Sequence, residues 1–81
     1  MHLTILLFAA AKDHAGADSV SVELPTAATV ATLRLELARR LPALSTLLTR
    51  SAIAVNHDFA ENDRVLSPQD EVAIIPPVSG G

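Results

Sequence analysis

The sequence contains no cysteine, no tryptophan and no tyrosine, and only two phenylalanines among its 81 residues. Without cysteine the chain has no disulfide, no thiolate ligand for zinc or an iron–sulfur cluster, and no thiol nucleophile or persulfide. If such a chain handles sulfur, another group must hold it. The two aromatic residues, Phe8 and Phe59, represent a large share of the bulky apolar surface available for a core or for a partner.

Charge and hydropathy exclude further classes of protein. The formal net charge is −3, whereas a nucleic-acid-binding domain carries clustered Lys and Arg. No apolar run approaches the roughly 20 residues that a membrane span needs. The first four residues lack the basic region of a signal peptide, so we expect a cytoplasmic protein. The three histidines have no metal-ligand spacing, and we expect no metal site.

The apolar pattern predicts four strands and one main helix. From Val30 to Leu41 apolar residues recur at helical spacing, Thr29 is a candidate N-cap, and Pro42 ends the helix. Alternation and short apolar runs predict strands at 2–8, 19–24, 52–55 and 71–75. Three segments are predicted to be less regular: a polar connection at 9–18, a looser stretch at 43–50 that closes the end of the core, and a polar segment at 59–65.

The order strand, strand, helix, strand, strand predicts an α+β domain in which a mixed sheet packs on one main helix. The first and last strands can pair in parallel at the centre, which is the ubiquitin-like β-grasp arrangement. Residues 1–75 are predicted to form this domain, and residues 76–81 to form an extended, flexible C-terminal tail.

The C-terminal tail begins with two prolines and ends with two glycines. Two of the three glycines in the chain, Gly80 and Gly81, are its last two residues, and a backbone without Cβ passes through a slot too narrow for other residues. The segment from Val78 through Ser79 to Gly81 reaches about 13 Å when fully extended. The preceding pair of prolines, residues 76 and 77, fixes its direction and lowers the entropy lost on docking. The pattern indicates that the carboxylate of Gly81 is the working group.

Strand parity predicts a second apolar surface. Phe8 lies opposite the Leu3-Ile5-Leu7 face of the first strand, and Ile75 lies opposite the inward side chains of the last. Such parity favours an exposed, partner-binding sheet face over ordinary core. The predicted contacts are Phe8, Phe59, Ile75, Pro76 and Pro77.

Four stretches resemble the small, sulfur-carrying subunits of molybdopterin synthase: Leu7-Phe8-Ala9, Ala54-Val55-Asn56, Asp70-Glu71-Val72-Ala73 and the terminal Pro-Pro-Val-Ser-Gly-Gly. The spacing is compatible from end to end, and the terminal hexapeptide is the most specific piece. Two positions depart from the family pattern. Lys12 stands where the family commonly has Arg, and Gln69 stands where it usually has Gly, which a type I turn tolerates.

The resemblance implies a reaction cycle at Gly81. An adenylating, E1-like activating enzyme uses ATP on the carboxylate, and a sulfur donor then leaves a C-terminal thiocarboxylate. Val78, Ser79 and Gly80 thread the tail into the large subunit, where sulfur passes to cyclic pyranopterin monophosphate. The resemblance therefore implies a non-catalytic co-substrate without a bound cofactor, in a heterotetramer with the large catalytic subunit.

Three alternatives remain open at this point. The chain could carry sulfur for thiamine, cysteine or tRNA thiolation, it could be a ubiquitin-like modifier joined to lysines through Gly81, or it could be an interaction module with an idle tail. The sequence contains no Ser-His-Asp arrangement and no phosphate-binding loop, so the chain alone is expected to catalyse nothing.

Overall fold

The computed structural model describes residues 1–77, and the segment 78–81 lies outside the described residues. In chain order the elements are β1 (His2–Leu7), α1 (Ala9–Ala15), β2 (Ser19–Glu23), α2 (Val30–Arg40), a 3-10 turn (Pro42–Leu44), α3 (Ser45–Arg50), β3 (Ala52–Val55), β4 (Asp58–Phe59) and β5 (Val72–Ile75). Within residues 1–77 there is no helix with the length and apolar character needed to cross a membrane.

All five strands belong to one mixed sheet, in the order β2-β1-β5-β3-β4. The first and last strands, β1 and β5, pair in parallel at its centre. Strands β2 and β3 flank this pair in antiparallel orientation. A central parallel pair made by the two ends of the domain confirms the predicted β-grasp fold.

The core lies between this sheet and the helices. Helix α2 begins after Thr29, whose side-chain oxygen accepts a hydrogen bond from the Thr32 N–H as an N-cap. It buries Val30, Leu33 and Leu37 completely. The sheet side chains in the same cluster are Leu3, Ile5, Leu7, Val22, Ile53, Val55, Val72 and Ile74. Because each helix buries side chains in this one cluster, the opposite face of the sheet is left uncovered.

Helix α1 corrects the prediction of an irregular connection at 9–18. It is seven residues long, too short for the apolar spacing that revealed α2. It buries Ala11 and ends at Gly16, whose left-handed φ of 70° and bond from its N–H to the Lys12 carbonyl form a C-cap. Local alanine propensity and one buried side chain therefore stabilise a helix that periodicity could not predict.

Two further segments also differ from the predictions. The stretch 43–50 contains α3, although its Leu44 and Leu48 close the core as expected. Residues Asp58–Phe59 form β4, which pairs with β3 across a two-residue turn. That turn has φ of 52° at Asn56 and 73° at His57, the left-handed values that tight hairpins require. A two-residue strand is too short to show alternation, so sequence reasoning missed it.

The two departures from the family pattern are both accommodated. Lys12 forms an ion pair with Asp18, with its Nζ 2.8 Å from Oδ1, so the positive charge keeps a partner on the α1–β2 connection. Gln69 does not have a positive φ. It lies in a turn where the Asp70 N–H donates to the Ser67 carbonyl at 3.1 Å, as a type I turn allows.

An ion-pair cluster on α2 makes stability depend on pH. The carboxylate of Glu36 accepts hydrogen bonds from Nε of Arg39 and Nε of Arg40, both at 3.1 Å. The bond from Arg39, followed by that from Arg40, lowers the pKa of the Glu36 carboxyl below its ordinary 4.5. The folded state therefore favours the ionised form of Glu36.

We expect Glu36→Gln to destabilise the domain at neutral pH and to have little effect in acid. A carboxyl whose pKa is lower in the folded state contributes stability above its unfolded pKa and loses it as pH falls through the folded pKa. The free energies of unfolding of the parent and the variant, measured with urea, should therefore converge as pH falls below 4.5. A difference that stays constant across the acid range would contradict this role of the carboxylate.

Candidate functional site

The uncovered side of the sheet carries an apolar depression of about 280 Å³. Its apolar lining consists of Leu6, Phe8, Ala54, Phe59, Ala73 and Ile75, and its polar rim of His57 and Glu71. We call this surface the docking face. It brings together three of the predicted partner contacts: Phe8 directly after β1, Phe59 on β4 and Ile75 on β5.

Strand register aligns four of these side chains in a row across the sheet. Leu6 lies opposite Ala73, Ala73 opposite Ala54, and Ala54 opposite Phe59. Residues directly opposite one another in a sheet point to the same face. The row therefore places two alanines between two large side chains, which makes the floor of the depression.

Two aromatic side chains of the docking face are exposed, and for Phe8 strand parity predicted this. Phe8 is 47% and Phe59 77% exposed, whereas the floor residues Ala54 and Ala73 are 9% and 8% exposed. Ile75 is half-buried. Large apolar side chains grouped around a shallow depression are typical of a protein-binding surface. That Phe8, Phe59 and Ile75 contact a partner stays a prediction.

Phe8 occupies a position where its side chain does not stabilise the adjoining helix. It is the N-cap of α1, with an extended backbone, and its side chain makes no capping hydrogen bond. Ser, Thr, Asp and Asn are preferred there, and lacking them costs about 1 kcal/mol. The next residue, Ala9, has a φ of 49°, which is uncommon for a residue with a Cβ. Local structure thus gives no reason for an aromatic residue, whereas a contact outside the domain does.

A polar network fixes the hairpin tip at the rim. The backbone N–H of Asn56 donates to the Glu71 carbonyl at 2.7 Å, and its side-chain oxygen accepts from the Glu71 N–H at 2.9 Å. Its Nδ2 donates to Asp70 Oδ1 at 3.0 Å, while Asp70 Oδ2 accepts from the Ser67 N–H at 2.8 Å. Beside them, His57 Nε2 lies 2.9 Å from Glu71 Oε2. The network joins the β3–β4 turn to the start of β5.

Replacing Asn56 by alanine should cost about 1–2 kcal/mol of unfolding free energy. Alanine removes both side-chain hydrogen bonds, and it tolerates the φ of 52° less well than asparagine does. Urea denaturation measures the loss. Asn56→Gly is the matched control, because glycine accepts the positive φ and isolates the contribution of the hydrogen bonds. Unchanged stability in Asn56→Ala would show that the network does not hold the hairpin.

The chain leaves the domain at the docking face. Strand β5 ends at Ile75, and the parallel β1 ends immediately before Phe8, so both side chains line the depression near the exit. Pro77 is exposed there, but Pro76 is buried within the domain. Pro76, predicted as a partner contact, therefore offers little free surface. The remaining predicted tail residues lie outside the described residues: Val78, Ser79, Gly80 and Gly81.

Sequence reasoning did not select Leu6, Ala54 or Ala73 as site residues. The signal for Leu6 was present, because parity places it on the same face as Phe8. Parity likewise places Ala73 on the face of Ile75, but only the pairing of β3 with β5 brings Ala54 and Ala73 together. Within residues 1–77, no group of three or more His, Asp or Glu side chains is arranged to hold a metal ion.

Comparisons with known proteins agree with this fold over nearly its whole length. The ThiS family profile matches residues 5–81. The molybdopterin synthase sulfur carrier subunit of Dictyostelium discoideum is 41% identical over 80 residues, covering 95% of this chain and 93% of that protein.

Two solved structures superpose closely. One is the small archaeal modifier protein 1 of Haloferax volcanii, with a TM-score of 0.84 and 28% identity, covering 95% of this chain and 98% of the other. The second is a putative molybdopterin converting factor, subunit 1, from Pyrococcus furiosus, with a TM-score of 0.85 and 28% identity, covering 96% and 99%. Since the family profile covers residues 5–81, nearly the whole sequence, the chain belongs to the ThiS family.

Proposed function

We propose that this chain is the sulfur carrier subunit of a molybdopterin synthase. The observation that carries the proposal is the position of the chain exit, where β5 delivers the C-terminal segment from the edge of an apolar docking face. Similarity over almost the whole chain to a sulfur carrier subunit supports it. The docking face seats the domain on the large subunit, and the segment 78–81 carries the reactive group.

The first step activates the carboxylate of Gly81. On an adenylating, E1-like enzyme, a carboxylate oxygen attacks the α-phosphorus of ATP and pyrophosphate leaves. A carboxylate is a poor electrophile because it has no good leaving group, and AMP supplies one. A sulfur donor at the oxidation level of sulfide then attacks the carbonyl carbon and displaces AMP. The product is a thiocarboxylate, which suits a chain without cysteine.

In the second step the thiocarboxylate donates its sulfur to cyclic pyranopterin monophosphate, and water returns an oxygen to Gly81. Repetition builds the dithiolene of molybdopterin. The large subunit supplies the active site, so the chain acts as a protein co-substrate in a heterotetramer located in the cytoplasm. It binds no cofactor itself, and ATP is consumed on the activating enzyme. The absence of Cβ atoms at Gly80 and Gly81 suits passage through a narrow channel.

Intact-mass spectrometry tests the carrier role directly. The purified chain, incubated with an activating enzyme, ATP and a sulfide source, should show one oxygen replaced by one sulfur. Fragmentation should assign that sulfur to Gly81. An unchanged mass, obtained with an enzyme preparation that thiocarboxylates a control carrier, would overturn the proposal.

A second candidate is a ubiquitin-like modifier, which the similarity to the small archaeal modifier protein 1 favours. In that case a lysine amine attacks the acyl adenylate, AMP leaves, and an isopeptide bond forms. Higher-mass conjugates bearing the C-terminal glycines on lysine would distinguish this role. A carrier for thiamine, cysteine or tRNA thiolation would differ only in its acceptor, so the thiocarboxylated protein should be offered to each acceptor system.

A further inference from the structure

The helical layer carries a second apolar surface, on the other side of the domain from the docking face. A groove of about 320 Å³ lies between α2 and α3. Its apolar lining comes from Ala31, Leu35, Ala38 and Leu48, and we call it the helix groove. Leu35 is 74% exposed, and together with the other apolar residues of the groove it forms a grouped apolar surface, the kind that marks an interaction site.

Leu35 belongs to a second apolar stripe on α2. The inward stripe of Val30, Leu33 and Leu37 is completely buried in the core. Ala31, Leu35 and Ala38 follow the spacing i, i+4, i+7 and therefore form a separate row along the helix. One helix thus presents an apolar row to the core and another to the outside. The outer row is the one that a further helix would cover.

The groove is held in shape by one arginine. Arg34 Nη1 donates to the Leu48 carbonyl at 2.6 Å, and Arg34 Nε donates to Asn62 Oδ1 at 3.0 Å. The first bond ties α3 to α2, and the second ties the loop after β4 to α2. A groove formed before binding requires little ordering when a partner arrives.

The charges of the chain indicate the sign of that partner. Residues 30–50 contain four arginines and one glutamate, a formal charge of +3, whereas the rest of the chain has two cations and eight carboxylates, −6. Among residues 1–77, no Asp or Glu side chain lines the helix groove. Arg39 lies one turn beyond Leu35; its side chain is 71% exposed although it is ion-paired with Glu36. Arg50 is exposed at the end of α3. The helical layer is therefore complementary to an acidic surface.

We propose that the helix groove binds an acidic amphipathic helix of a partner protein. The partner's apolar row packs on Ala31, Leu35 and Ala38, and its flanking carboxylates face Arg39 and Arg50. Since α2 covers one face of the sheet and the docking face is the other, both surfaces can be occupied together. The domain then binds one protein through its sheet while a second protein holds it through its helices.

A pair of synthetic helical peptides tests this proposal without sulfur chemistry. Each is about 18 residues long, enough for a stable helix, with leucines spaced i, i+4, i+7. One carries glutamates on its remaining face and the other carries lysines at the same positions. Fluorescence anisotropy should show that the glutamate peptide binds at least about tenfold more tightly than the lysine peptide. Added salt should weaken the binding of the glutamate peptide.

Matched variants locate the binding. Leu35→Asp should lower the affinity for the glutamate peptide at least about tenfold. Phe59→Asp, the same type of change on the docking face, should leave that affinity unchanged. Arg39→Glu leaves the outer apolar row of α2 intact. It should reduce the difference in affinity between the glutamate peptide and the lysine peptide. Circular dichroism confirms that each variant is folded.

Three results would overturn the proposal. They are equal affinity for the two peptides, affinity for the glutamate peptide that Leu35→Asp does not change, and absence of binding. Sedimentation adds a fourth: a concentration-dependent dimer of the parent chain that Leu35→Asp abolishes would assign the helix groove to a second copy instead. None of these outcomes depends on whether Gly81 carries sulfur, so the two proposals fail separately.

Discussion

Deletion of Gly81 should abolish sulfur transfer and leave the folded domain unchanged. A chain that ends at Gly80 presents its carboxylate about 3.5 Å short of the reacting position. A misplacement of about 1 Å at a reacting centre can reduce the rate about 10²-fold, so we expect a loss of at least that size. The loss of rate is measured by single-turnover sulfur transfer with the large subunit and by adenylation on the activating enzyme.

Controls separate the chemistry of the tail from the stability of the domain. Within the described residues 1–77, the helices and strands all lie between residues 2 and 75, so thermal unfolding and binding to the large subunit should be unaffected by the deletion. Gly80→Ala keeps the length of the tail and adds one methyl group, which tests the width of the channel rather than its reach. Full transfer activity in the deletion variant would disprove the mechanism at Gly81.

Replacing Phe8 by aspartate should weaken docking to the large subunit while leaving the domain at least as stable. Removing an aromatic hot spot costs about 2–4 kcal/mol at an interface, about a 30- to 1000-fold loss of affinity. At the N-cap of α1, however, aspartate is a preferred residue, and it can add up to about 1 kcal/mol. The affinity for the large subunit, measured by titration calorimetry, should therefore fall. The free energy of unfolding, measured with urea, should stay the same or rise.

Leu35→Asp is the matched control for this experiment, because it introduces the same side chain on the opposite layer. It should bind the large subunit like the parent chain. If Phe8→Asp binds normally, or if both variants weaken docking equally, the docking face as defined here is not the interface. Loss of stability in Phe8→Asp would instead show that the aromatic ring supports α1.

The helix α2 and the strand β1 were predictable because their signals are local. Val30, Leu33 and Leu37 repeat at helical spacing over about two turns, and β1 alternates over six residues. Such periods report which side of an element faces the core. The same parity predicts that Phe8 and Ile75 lie on the uncovered face of the sheet. Both line the docking face, where Phe8 is exposed and Ile75 is half-buried.

Short elements, which span too few repeats to show a period, escaped prediction. Helix α1 has seven residues and one buried side chain, and β4 has only two residues. Both depend on tertiary partners: α1 on the burial of Ala11 in the common core, and β4 on pairing with β3. Intrinsic propensity cannot report such contacts, because they join residues that are distant in the chain.

The amino-acid sequence alone was sufficient to predict which group of this protein is reactive. It shows that no thiol is available, that two glycines follow a pair of prolines, and that the apolar periods suit a β-grasp domain. Folding was needed to assemble the surfaces. The floor of the docking face requires Ala54 and Ala73 to meet across β3 and β5, and the helix groove requires Arg34 to tie α3 to α2. Reactive groups are properties of single residues, whereas binding surfaces are properties of register and packing between residues far apart in the chain.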